Sequence, residues 1–128
     1  MAGLYTKLFV AQGGRCFHCF EPMDAESFPK KVDGWTREHV VPRVHGGKDA
    51  WNIVLAHSAC NNRRGSALPS EAMLQRAHHL HLAARGLGNK DVDHFFAPLA
   101  AEQAARRRAF WAQQDGLGSG GFSRTPPS

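Results

Sequence analysis

The sequence predicts an α+β fold in which a strand–loop–strand–helix unit is clamped by two short ligand pairs and followed by helices. Three observations carry the prediction. Cys16 and Cys19 form a C-x-x-C pair that His57 and Cys60 answer as H-x-x-C. Between the pairs lie two runs of β-forming residues, Trp35 to Val41 and Asn52 to Leu55, separated by a glycine loop. Beyond them the apolar residues recur at helical spacing. A chain of 128 residues is one domain's worth, able to bury roughly two-thirds of its unfolded surface.

Each element has a local reason. Gly3 to Gln12 is apolar at Leu4, Leu8, Phe9 and Ala11 with Lys7 between, which suits a short amphipathic helix stopped by Gly13-Gly14. Glu21 to Asp33 is polar and interrupted by Pro22 and Pro29, as a loop with a weak strand would be. Pro42 closes the first strand, and His45-Gly46-Gly47-Lys48-Asp49 is a loop by its glycines. Ser58 is placed to cap a helix that ends at Gly65. A longer helix starts at Pro69-Ser70 and runs to about Arg85, with Met73, Leu74, Ala77, Leu80 and Ala84 as its apolar stripe. A further helix is predicted from Pro98 to about Gln114, anchored by Phe110 and Trp111. The chain thus divides into a clamped domain over 1–68, a helical extension over 69–115 packed on it, and a disordered Gly/Ser/Pro tail over 116–128.

Composition narrows the class. Sixteen Lys and Arg against eleven Asp and Glu leave +5 with His neutral, which favours polyanionic partners. No apolar run reaches the ~18–20 residues that span a bilayer, and the first residues lack the layout of a secretory signal. A cytoplasmic protein is expected, with its three cysteines reduced. Adding His57 to Cys16, Cys19 and Cys60 gives four donors suited to one tetrahedral Zn²⁺, because two intervening residues let both members of a pair reach one ion from a tight turn. The competing reading is a redox-active or incidental C-x-x-C.

Between the pairs stand Arg37-Glu38-His39-Val40-Val41-Pro42, Gly46-Gly47, Asn52-Ile53-Val54-Leu55 and then Cys60-Asn61. In order and spacing this string resembles the HNH endonucleases, the zinc-stapled branch of the ββα-metal (His-Me finger) nucleases, over about Gly14 to Gly65. The resemblance implies that His39 is the general base, that Glu38 and Asn61 hold a catalytic Mg²⁺ or Mn²⁺, and that Asn52 holds the loop orienting the base. It also implies DNA as substrate, with 5′-phosphate and 3′-hydroxyl products. Two departures stand out: Glu38 where most relatives carry Asp, and Asn61 where many carry His. Asn62 is a fallback for Asn61. His57 could instead share a helix face with Asn61 and serve the catalytic metal, although its spacing to Cys60 favours zinc.

Arg63 and Arg64, one turn from the implied metal, are candidate phosphate contacts, or else an ordinary cationic helix end. Arg106-Arg107-Arg108 is the densest positive run and could dock on a DNA backbone, or be a solvated face. His78, His79 and His81 cannot all share one helix face and read as surface or half-buried residues. Trp35 and Trp51 read as core. Residues 1–60 hold seven Lys and Arg against six acids, whereas residues 61–90 hold five against one, so the positive excess begins at the implied active-site helix. The same residues leave RNA open as substrate, and a non-catalytic zinc module binding nucleic acid is the alternative from another class. With no evident DNA-reading domain, low intrinsic specificity or a guiding protein partner is expected, on a monomer or weak dimer.

Overall fold

The computed structural model describes residues 3–25 and 34–119. Helix α1 (Leu4–Ala11) precedes strand β1 (Trp35–His39); two single 3₁₀ turns, Arg43–His45 and Ala50–Asn52, lead into strand β2 (Ile53–His57). Helices α2 (Ser58–Arg64), α3 (Glu71–Arg85) and α4 (Asn89–Ser119) follow. The fold is α+β, as the sequence predicts. The chain separates into two compact units, Met1–Phe96 and Ala97–Ser128.

In the first unit β1 and β2 are antiparallel, with Trp35 opposite His57 and His39 opposite Ile53. All five residues of β2 are buried, which explains its unbroken apolar run: both faces are covered. Its outward main-chain groups still need partners. The side-chain amide of Gln12 takes two of them, donating to the Leu55 carbonyl at 2.9 Å and accepting from the Leu55 N–H at 2.9 Å. The Phe17 N–H shares the Leu55 carbonyl at 3.1 Å, and His81 Nε2 reaches the Ile53 carbonyl at 2.6 Å. Phe17, Val40, Val54 and Ala77 form a buried cluster, with Met73 and Leu80 of α3 packed against it.

Most predicted helix ends agree with the structure. Gly65 ends α2 at φ 63°, a value that favours glycine. The Ser70 side chain caps α3 by accepting from the Met73 N–H. Ser58, by contrast, is the first helical residue of α2 and not its cap. Pro98 does not open the last helix: α4 starts at Asn89 and holds Pro98 inside it. The better start signal is Asp91, whose carboxylate accepts the Gly88 N–H at 2.8 Å while the Val92 N–H bonds back to the Gly88 carbonyl. In the second unit α4 continues to Ser119, past the Gln114 end expected for it. The rest of the tail, 120–128, lies outside the described residues, as does 26–33 of the polar loop. Phe110 and Trp111, expected to anchor the last helix, pack edge-to-face on each other and are 53% and 61% exposed.

His81 corrects the reading of the histidine run. It is fully buried, and burial above all lowers its pKa, with Arg85 and His78 adding to the shift against its bond to Ile53. Trp51 is corrected in the opposite direction. It is 42% exposed and lies over α3, stacked on His78 and His81, with the Arg85 guanidinium 4.4 Å from its ring.

Candidate metal centre and active-site strand

The first knuckle is a tight turn. The Cys16 N–H bonds to the Glu21 carbonyl and the Phe20 N–H to the Cys16 carbonyl, with Phe20 at φ 63°. The second knuckle forms where β2 passes into α2. Folding brings Cys16, Cys19, His57 and Cys60 together, with one donor atom from each lying within 4.8 Å of all the others. His57 Nδ1 is 3.3 Å from Cys19 Sγ and 3.8 Å from Cys60 Sγ. On its other side Nε2 donates to the Pro22 carbonyl at 3.0 Å. That bond fixes the tautomer and turns the Nδ1 lone pair toward the sulfurs, as a ligating histidine requires.

Main-chain amides point at the sulfurs as well: His18 N and His57 N at Cys16, Glu21 N at Cys19. Burial pushes the Cys16 thiol up, but the Cys19, His57 and His18 amides together with the Cys19 side chain outweigh it and bring its pKa to about 7. Cys60 moves the other way, to about 12, through burial first and then its neighbours Cys16 and Cys19. This donor set of three thiols and one imidazole fits a tetrahedral zinc ion, which would tie the loop before β1 to the start of α2. His57 is the last residue of β2, so it does not share a helix face with Asn61.

Strand alternation divides the next two residues. Glu38 faces inward at 1% exposure. Its Oε2 accepts from Arg64 at 2.9 Å and pairs with His18 Nε2 of the first knuckle. Among the described residues its Oε1 is buried without a partner. Arg64, considered above as a phosphate contact, is turned into the protein. It donates to the His39 carbonyl at 2.9 Å, to the Val40 carbonyl, and to the Ala67 carbonyl at 2.6 Å. It therefore joins α2 to the end of β1. Arg63 is exposed but sends one nitrogen to Cys60 Sγ at 3.3 Å. Asn61 is half-buried, with Nδ2 donating to the Arg37 carbonyl at 3.3 Å. Asn62 is exposed.

His39 faces the open side, its side chain 24% exposed. Its Nε2 is 2.8 Å from Asp49 Oδ1, and Arg43 Nε approaches the same nitrogen at 3.3 Å. Asn52 clamps the loop between them: Nδ2 donates to the Val41 carbonyl at 2.9 Å and Oδ1 accepts from the Val41 N–H at 2.8 Å. The glycine pair makes this approach possible. Gly46 has φ 90°, and a Cβ on Gly47 would stand 1.7 Å from the Val41 carbonyl oxygen. Arg76 of α3 braces the first knuckle, its guanidinium 3.9 Å from the centre of the Phe17 ring and bonded to the Phe17 carbonyl. Three of these residues carry no signal of their own in the sequence. His18 is one of the two residues between Cys16 and Cys19, Asp49 sits three before Asn52, and Gln12 follows α1; only position relative to a motif could have pointed to them.

Two antiparallel strands, a helix and a Cys₃His cluster define a zinc-binding ββα-metal domain. Residues 16–67 match the family model described as HNH endonuclease, and the Cys16, Cys19, His57 and Cys60 cluster fits the zinc-binding variant of that family. No curated protein matches the chain. The family-model match points to a nuclease-type or nucleic-acid-binding role. Among the described residues, no helix is long and apolar enough to cross a membrane.

Proposed function

We propose that the chain is a metal-dependent endonuclease that hydrolyses DNA phosphodiester bonds with His39 as general base. One observation carries the reading: within an HNH domain, His39 stands partly exposed at the open end of β1, beside a loop clamped by Asn52. A neutral imidazole can take a proton from an attacking water. Asn52 acts through the loop it holds. Glu38 and Asn61 would hold one Mg²⁺ or Mn²⁺, and the unpartnered buried Oε1 of Glu38 fits that role. When bound, the cation supplies positive charge against the phosphate. The expected products carry 5′-phosphate and 3′-hydroxyl ends. Arg63 is proposed to meet a phosphate flanking the scissile bond, and the exposed Arg106, Arg107 and Arg108 to dock on a DNA backbone.

A second reading, a non-catalytic zinc module that binds nucleic acid, is favoured by the engagement of Glu38 Oε2 with Arg64 and His18. Supercoiled plasmid incubated with Mg²⁺, Mn²⁺ or EDTA separates the two. Nicked or linear DNA in the metal lanes and none with EDTA is expected of the nuclease. Retarded but intact plasmid in every lane contradicts it.

A further inference from the structure

We propose that Asp49 is a positioning residue for His39, holding the imidazole with its proton on Nε2 so that the basic lone pair is on Nδ1. The inference rests on the reading of His39 as the base and goes beyond it by naming the group that sets the ring. The contact itself carries the argument. A carboxylate has no proton to give, so the 2.8 Å Oδ1···Nε2 contact puts the proton on the ring nitrogen, and it is shorter than the competing 3.3 Å contact from Arg43 Nε, which would need Nε2 as the acceptor. A neutral imidazole protonated at Nε2 has its lone pair on Nδ1.

The surroundings keep Asp49 ionised and in place. Its carboxyl is held below the ordinary carboxylate range by the His39 hydrogen bond first, against slight desolvation, with Arg43 and Arg37 adding their charge. Arg43 reaches Asp49 Oδ1 at 3.7 Å. From α2, Arg64 bonds the His39 carbonyl at 2.9 Å and so fixes the backbone under the ring. Glu38 lies on the opposite face of the strand. Asp49 is placed by Asn52, whose N–H bonds to the Asp49 carbonyl at 3.1 Å while its side chain clamps Val41. Asn52 thus sets the loop, the loop sets Asp49, and Asp49 sets the ring.

Asp49→Asn is the informative variant, because the position is 62% exposed and the change is isosteric. A carboxylate can only accept, whereas an amide can also turn and donate to Nε2, which releases the constraint on the tautomer. Long-range proton–nitrogen correlation spectra of the ¹⁵N-labelled, zinc-loaded full chain at about pH 8, where an ordinary histidine is neutral, read the tautomer without requiring activity. A His39→Gln spectrum assigns the ring. The parent is expected to show the Nε2–H form and D49N a population of the Nδ1–H form. Plasmid cleavage by D49N should fall by about 10–100-fold in kcat, typical of removing an orienting partner, with KM within about twofold. An Nδ1–H ring in the parent, or a D49N ring still wholly Nε2–H, overturns the proposal. If the tautomers behave as expected and the parent does not cleave, the nuclease reading fails and the positioning role stands.

Discussion

The two faces of β1 are built in opposite ways. On the inner face Glu38 is buried between Arg64 of α2 and His18 of the first knuckle, within a unit whose metal-binding cluster lies where β2 meets α2. On the outer face His39 is partly open, held by the exposed Asp49 and by a loop that Asn52 clamps. The difference shows how one short strand separates two tasks. Its inward side chain ties the zinc-knuckle turn and α2 together, and its outward side chain can be offered to a substrate without disturbing that union. Changes at Arg64 and the metal-binding cluster should therefore cost stability, changes at His39 and Asp49 should cost activity, and a change at Glu38, proposed to hold the cation, should cost both.

Removing the metal tests the inner face most severely. Structural zinc binding contributes on the order of 10 kcal/mol in small zinc domains. Chelation, or Cys60→Ser, should abolish the cooperative thermal transition of the first unit, read by near-ultraviolet circular dichroism; an unshifted melt would show that the cluster does not support the fold. Arg64→Ala should come next, at about 3–5 kcal/mol in urea unfolding, because it leaves Glu38 buried beside fewer partners. A destabilisation below about 1 kcal/mol would place Arg64 among ordinary surface residues.

A smaller effect should appear with pH. His81 has its pKa lowered, chiefly by burial, so the unfolded chain takes up that proton more readily than the folded one. The stability it contributes is complete above the ordinary value of 6.5 and is lost progressively as pH falls below it. His81→Gln should flatten the fall in Tm between about pH 7.5 and 5.5; an identical slope in both proteins would contradict the assignment. The smallest change is expected from replacing Arg106, Arg107 and Arg108 together with Ala. If all three meet phosphates, the salt dependence of DNA binding should flatten by ~0.9 for each phosphate left without its arginine, and an unchanged slope would make them a solvated face.

Much of this arrangement is legible in the sequence because it rests on local rules. Paired ligand spacing points to the Cys₃His cluster, β-forming runs point to both strands, and Ser70 and Gly65 mark helix ends. What escaped depends on long-range packing. Nothing near His81 announces that Ile53 lies opposite it, and nothing near Trp51 announces that α3 covers one of its faces. A pair of consecutive arginines reads as solvent-facing charge until the buried carboxylate of Glu38 is seen across from one of them. Pro98 misled for a simpler reason: proline favours a helix start but does not require one, and the side-chain bond at Asp91 begins α4 earlier.

The division of labour between the two faces, and the nuclease reading with it, meet in one residue. In His39→Ala, plasmid cleavage with Mg²⁺ or Mn²⁺ and zinc content by elemental analysis should be measured on the same preparation. Cleavage should fall by about 10²–10⁴-fold, the range of a positioned general base, with one zinc per chain and the melting temperature of the parent retained. Cleavage at the parent's rate in a variant that keeps its zinc would contradict the account.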